Sequence, residues 1–461
     1  MPDMEQKNEF LGTEPIGKLL WKLSIPAIAA QIINLLYNLV DRIYIGHMPE
    51  NGALALTGVG VCMPIIMIVS AFAALVSNGG APRASMAMGK GDYDEAEHIL
   101  SNSFSLQLVI SFVLTIVLLL FNRPLLLTFG GSENTIGYAT AYMNIYAVGT
   151  VFVQLTLGMN AFITAQGFAK TGMLSVLIGA VCNIILDPIF IYGFDMGVRG
   201  AAVATVLSQA MSTVWVLRFL TGKNTLIRIR RKYMRMRAKI VIPGITLGLA
   251  PFIMQASESI IIVCFNASLL KYGGDVAVGA MTILSSAMQF SMLPMQGLGQ
   301  GAQPISSYNY GTRNAARVKK TFQLLLLSTV IYAVTIWALL MLFPQWFAMI
   351  FAKKTDMELI LYTKDALRIY CAAMGIFGIQ MACQFTFISI GNAGASIMVA
   401  VMRKFVLLLP LIYLMPKIFQ ENKAQAVYLA EPVADILAVI FTVVLFYFQF
   451  RRALRKLEDN N

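Results

Sequence analysis

Twelve runs of this 461-residue chain are long, apolar and nearly free of charge, and they restrict its fold more than any other feature. They lie near residues 18–45, 54–82, 97–121, 136–165, 170–193, 200–221, 240–270, 276–304, 318–343, 359–389, 395–415 and 425–450. About twenty apolar residues in a helix cross the hydrocarbon layer of a bilayer. Lipid offers no partner for a backbone N–H or C=O, so each run must pair its own backbone as a helix. Composition agrees. Charged residues make up 13% of the chain and hydrophobic ones 58%, whereas a soluble domain carries about 25% charged residues. The chain is predicted to be an all-α polytopic membrane protein with twelve transmembrane helices. Its opening, MPDMEQKNEFLGTEP, lacks a basic-then-apolar signal pattern, so the first apolar helix is expected to be retained.

The net charge of +12 would suit nucleic acid, but its placement argues against that partner. The positive residues cluster at the ends of apolar runs, where they orient a membrane protein. From Arg218, at the end of the sixth run, to Lys239 lie Arg218, Lys223, Arg228, Arg230, Arg231, Lys232, Arg235, Arg237 and Lys239, with no acid in the stretch. The positive-inside rule makes this loop cytoplasmic. Alternation puts Arg83, Lys90, Arg313, Arg317, Arg451 and Arg455 on the same side, with both termini cytoplasmic in a plasma or cell inner membrane. Membrane lipids are the expected surroundings and a monomer the expected state. Cys62, Cys182, Cys264, Cys371 and Cys383 are scattered through apolar runs without metal or disulfide spacing. His47 and His98 have no ligand neighbours at metal spacing. No nucleophile–base spacing points to an enzyme, and no cofactor is expected.

The two halves of the chain repeat. Gly79, Pro82, Ser85 and Gly89 recur as Gly301, Pro304, Ser307 and Gly311, each 222 positions later. Tyr146, Gly167, Ala169, Ala202 and Val203 recur as Tyr370, Gly391, Ala393, Ala426 and Val427, each 224 positions later. An even number of crossings per half starts both halves from the same side. Two six-helix lobes are therefore expected, related by a pseudo-two-fold along the membrane normal with a cleft between them. The predicted organisation is an N-lobe over 1–222, a basic linker over 223–239 and a C-lobe over 240–461.

Polar residues inside the apolar runs are candidates for function, because ionisable groups at membrane depth mark substrate or ion pathways. In the fifth run Asn183 and Asp187 share a helix face, and Pro188 follows directly. Proline lacks a donor and displaces the carbonyl four residues back, that of Ile184, so Pro188 is a candidate hinge. A carboxylate, an amide oxygen and a carbonyl together suit a hard cation or a proton. A proline-kinked helix with a structurally paired Asp187 is the competing reading. Gln31, Asn34, Asn38 and Asp41 make one face of the first helix, and Thr205 falls at a similar depth in the sixth. Asp41, Asn183, Asp187 and Thr205 can therefore converge. Arg42 points off that face and is expected to pair or snorkel. In the second half Gln255, Glu258, Met288, Met292, Gln296, Gln380 and Gln384 are candidates for a cavity lining, with interhelical hydrogen bonding as the alternative. Methionine and aromatic residues suit an adaptable apolar cavity. Arg403 and Lys404 in the eleventh run are expected to snorkel.

With these residues in view, the chain resembles the multidrug and toxic compound extrusion (MATE) transporters, closest to their MepA-like branch. The resemblance rests on IPAIAAQIINLLYNLVDRIYIG (25–46), AQGFAKTGMLSVLIGAVCNIILDPIFI (165–191) and RGAAVATVLSQ (199–209), and extends over essentially the whole chain. It implies two lobes around a central cavity and export of lipophilic organic cations in exchange for H⁺ or Na⁺, a route to antibiotic resistance. It implies ion-coupling roles for Asp41, Asn183, Asp187 and Thr205, which could hold Na⁺. Another branch of the family uses a glutamate on the seventh helix and an aspartate on the tenth. Glu258 fits the first, but the tenth run carries Gln380, Cys383 and Gln384 where that aspartate would stand. A flippase for lipid-linked saccharides, or an exporter of other metabolites, is the alternative. Such a flippase would be expected to line its cavity with basic residues, and the candidate lining here is acidic and amide-rich. A receptor or scaffold would not need carboxylates on two helices at matched depth.

Overall fold

The computed structural model describes residues 9–49, 52–351 and 356–459, and among these there are helices and connecting turns but no strand. The N-terminal half holds α1 (Ile16–Gly46), α2 (Gly52–Gly89), α3 (Tyr93–Thr128), α4 (Ile136–Ala165), α5 (Ala169–Pro188, followed by a π-helical turn Ile189–Gly193) and α6 (Gly197–Thr221). A continuous stretch, Ala238–Gly311, turns at Gly274, where φ is 67°. Glycine takes that left-handed backbone without a Cβ clash, so the stretch supplies α7 (238–273) and α8 (275–311). After α9 (Ala315–Leu342), α10 is a pair, Met357–Tyr370 and Met374–Ser389, bent by 50°. In α11, Ala393–Val401 runs through a π-helical segment Met402–Leu408 into Leu409–Ile418, and α12 is Lys423–Glu458. With Gly274 dividing one stretch and the bent α10 counted once, twelve spans long and apolar enough to cross a membrane result among the described residues. They fall within a few residues of the apolar runs, except that α2, α3, α8 and α12 extend well past them. Of the opening stretch 1–15, on which the absence of a signal pattern is read, positions 1–8 lie outside the described residues.

The internal repeat is visible in the backbone as well as in the sequence. Gly91 and Arg313, 222 apart, have φ of 78° and 60°, and Gly167 and Gly391, 224 apart, have φ of 88° and 73°. Directly after the first pair, Asp92 and Asn314 each cap the next helix. Glu95 N–H donates to Asp92 Oδ1 at 2.9 Å, and Arg317 N–H donates to Asn314 Oδ1 at 3.0 Å. A side-chain oxygen at this position satisfies an N–H that the helix itself leaves open. Equivalent helices also meet alike. Gln107 donates to Gln154 O in one half, and Thr329 donates to Gly378 O in the other.

The lobes join at the end that carries the linker. A Cβ on Gly89 would lie 2.1 Å from Tyr308 O, and one on Gly311 would lie 2.1 Å from Met86 O. These two contacts exchange under the 222-residue repeat, as a pseudo-two-fold axis between the lobes requires. Farther in, a Cβ on Gly248 would meet Leu75 O at 1.7 Å, one on Gly79 would meet Gly244 O at 1.9 Å, and one on Gly301 would meet Ser24 Oγ at 2.2 Å. Only glycine lets backbones pass this closely. The apolar core follows the same plan. Leu19, Leu23, Ala84 and Met88 share one cluster with Leu298, Ile305 and Tyr308 of the other lobe. Toward the opposite end, Ile45, Val59, Tyr142 and Ile191 form a core of the first lobe alone. Phe265, Met281, Leu367 and Tyr428 form one of the second lobe alone. The lobes are therefore closed at the linker end and have separate cores beyond it.

The linker is bonded down. Glu97 accepts from Arg230 Nε at 2.9 Å and from Arg228 N–H at 3.1 Å. Asn102 donates to Tyr233 O and accepts from Arg237 N–H, and Tyr233 donates its hydroxyl to Asp94. The hydrogen bond and charge of Glu97 hold the Arg230 guanidinium above its ordinary pKa.

Candidate functional site: an N-lobe cavity beside two buried carboxyls

The polar face of α1 packs against α5, which brings together the residues spaced by the helical repeat. Asp41, Asn183 and Asp187 are all buried, at 6%, 1% and 0% exposure. Asn183 Nδ2 donates to Asp187 Oδ1 at 3.2 Å. Asp41 and Asp187 lie close enough to act on each other directly. Tyr37 faces both carboxyls and Gln209, while Tyr142 faces Asp41 and Thr205. Asp41 Oδ1, Asn183 Oδ1 and Asp187 Oδ2 are buried and make no hydrogen bond. The sequence neighbour Arg42 is exposed. The Arg42 charge reaches Asp41 from the exposed side, but among the described residues neither carboxyl has a salt-bridge partner, and two facing carboxyls cannot comfortably both be charged in so dry a place. Their open oxygens are hard donors, suited to a proton or to a small cation such as Na⁺. The donor chemistry fits Na⁺, which Asp41, Asp187 and the Asn183 amide oxygen would hold, with Thr205 of the expected set on the adjoining cavity wall. Among the described residues no three His, Cys, Asp or Glu side chains gather as a metal cluster.

A cavity of about 200 Å³ opens next to this pair. Gln31, Asn34 and Tyr37 of α1, Asn78 of α2, Asn160 of α4, Asn183 of α5, and Thr205 and Gln209 of α6 line it. The second lobe contributes Gln300, Gln303 and Pro304 of α8. Gln31 Nε2 donates to Gln300 Oε1 at 3.2 Å, a direct polar contact between the lobes across the cavity. Gln303 Nε2 is buried without a partner.

The other candidates lie elsewhere. Asn38 is exposed and donates to Asn34 O on its own helix. Met288 and Met292 pack against the second lobe's core. Gln255 and Gln296 are half-buried away from the cavity wall. Gln384 donates to Ser396 Oγ at 2.8 Å, and Gln380 is buried with both amide atoms unpartnered. Glu258 accepts from Lys404 Nζ at 2.5 Å. Pro188 ends the α-helical part of α5 and hands it to a π-helical turn. Snorkelling of Arg403 and Lys404 does not hold. Both are buried, and both are paired with carboxylates inside the lobe.

Sequence reasoning missed Tyr37 and Gln209. The signal was present, because Tyr37 sits three residues after Asn34 and four before Asp41, and Gln209 sits one turn after Thr205. Asn78 and Asn160 could not be singled out, since nothing in their own helices shows which face meets the cavity.

Twelve helices in two repeated lobes, with buried carboxyls beside a polar cavity, define a multi-pass membrane protein with the architecture of a transporter. The chain belongs to the MatE family, whose pattern matches it twice, over residues 26–189 and 250–414, starting 224 positions apart. The chain is 26% identical over 320 residues to "Multidrug export protein MepA" of Staphylococcus haemolyticus (strain JCSC1435), covering 69% of this chain and 70% of that one. In fold it is similar to a structure described as "Crystal structure of MATE in the bent conformation", with a TM-score of 0.91, 22% identity and coverage of 98% and 99% of the two chains. It is also similar to an "Outward-facing conformation of a multidrug resistance MATE family transporter of the MOP superfamily", with a TM-score of 0.90, 22% identity and coverage of 97% and 98%.

Proposed function

We propose that this chain is a multidrug exporter of the plasma membrane that moves lipophilic organic cations outward in exchange for H⁺ or Na⁺. The observation that carries this reading is the Asp41–Asp187 pair, buried on two packed helices beside a polar cavity and without a salt bridge among the described residues. When the pair is ionised its charge attracts a cation, and when a proton or Na⁺ occupies it that attraction is lost. Exchange then requires that ion and cargo favour different states of one two-state element. We assign that element to α1 and α5, with Pro188 and the following π-turn as the hinge. The name of the staphylococcal relative supports drugs as cargo, and the cavity's amide lining with the carboxyl pair beside it suits cations better than lipid-linked pyrophosphates.

The lobes join at the linker end, which the positive-inside rule places in the cytoplasm, so this conformation is read as facing outward. Alternating access would part the glycine contacts at that end and bring the far ends together. The test is transport of a fluorescent organic cation into proteoliposomes under a pH gradient and, separately, a Na⁺ gradient. Uptake driven by one of the two is expected. Equal flux without either gradient would refute exchange.

A further inference from the structure

The second lobe contains five charged side chains within its apolar helices that the cavity does not use. Glu431 and Asp435 stand four apart on one face of α12 and converge on the same guanidinium. Arg403 Nε donates to Asp435 Oδ1 at 2.8 Å, and its terminal nitrogen donates to Glu431 Oε1 at 2.9 Å. Arg403 also lies over the Phe377 ring, 4.5 Å from its centroid. Its neighbour Lys404 turns to a different helix and donates to Glu258 Oε2 of α7 at 2.5 Å. Both cations sit in the π-helical segment of α11, a local widening that recurs at functional sites. Arg403, Glu431 and Asp435 are 5%, 4% and 1% exposed.

The charges do not balance. Lys404 is matched by Glu258, which leaves Arg403 alone against two carboxyls. The remaining titratable groups facing the cluster, Tyr370 and Cys371 of α10, bring no positive charge. A residual negative charge in so dry a place is costly, and buried groups change protonation rather than carry it. Arginine cannot give up its proton, so the carboxyls must adjust. We propose that the C-lobe carries a proton site separate from the Asp41–Asp187 pair, with one proton shared by Glu431 and Asp435 under Arg403. The guanidinium fills the position a metal cation would need, so the ligand is a proton. Glu258, whose side chain is 42% exposed, is the end of the cluster open to exchange.

The experiment is infrared spectroscopy of the purified full chain in lipid at neutral pH, reading the deuterium-sensitive carboxylic-acid C=O band. Asp41→Asn/Asp187→Asn serves as the parent, so that the first lobe contributes no signal. The parent is expected to show the band, and both Glu431→Gln and Asp435→Asn are expected to lose it. In either variant the remaining carboxylate forms a simple ion pair with Arg403. A parent without the band, or a band that survives either isosteric substitution, overturns the proposal. Each of those substitutions removes a charge that the shared proton already offsets, so melting temperatures near the parent's are expected. Collapse of both variants would also overturn it.

Discussion

Replacing Gly248 with alanine tests whether the close approach at the linker end sets the conformation of the transporter. The new Cβ would lie 1.7 Å from Leu75 O, 2.6 Å from Leu75 C and 3.0 Å from Leu75 Cα. All three are backbone atoms and cannot rotate away. Ordinary contact requires roughly 3.5 Å, so α2 and α7 must separate by more than about 1.5 Å at this level. Overpacking of this kind costs about 1–3 kcal/mol. That cost falls on the state closed at the linker end and not on a state in which the lobes have parted there. A shift of 1–3 kcal/mol changes the ratio of two states by about 5–150-fold. Spin labels on the exposed Lys90 and Lys319, one per lobe, would report the spacing by pulsed electron resonance in nanodiscs. The expected result is growth of a longer-distance population at the expense of the shorter one, with slower export. An unchanged distance distribution in a folded, fully active Gly248→Ala protein would refute the assignment of this contact as the inner gate.

Three further outcomes are expected. Asp41→Asn and Asp187→Asn should each abolish ion-coupled export while the protein stays folded, since each removes one of two carboxyls that form no salt bridge among the described residues. Wild-type flux in both would remove the pair from the mechanism. Pro188→Ala should leave equilibrium drug binding intact and lower turnover, because a regular helical bond stiffens the junction with the π-turn. Binding and transport measured on the same preparation would decide between this and normal turnover. Arg403→Met should cost about 3–5 kcal/mol of stability, the usual cost of stripping one partner from buried charges. A melting curve in detergent equal to that of the unmutated chain would contradict the ion network.

Much of this architecture could be read from residue order alone. Apolar runs matched to a bilayer dictate helices wherever they occur, because backbone pairing is local and lipid leaves no other choice. The helical repeat likewise put Asn183 and Asp187 on one face of α5, and Asn34 and Asp41 on one face of α1. The near-constant offset between Gly79 and Gly301, or Gly167 and Gly391, exposed the two lobes, since a repeated backbone needs the same residue wherever φ or packing demands glycine. What residue order could not decide was which distant groups meet. Arg403 and Lys404 look alike in sequence, yet one turns to α12 and the other to α7, and no spacing within α11 tells where those carboxylates stand. For the same reason the pairing of Glu258 with Lys404 was invisible in residue order and emerges only from packing. The conformation of the lobes is also a tertiary fact. Glycines along α2, α7 and α8 permit close approach, but only their registration, Gly248 on Leu75 and Gly89 on Tyr308, fixes the end at which the lobes close.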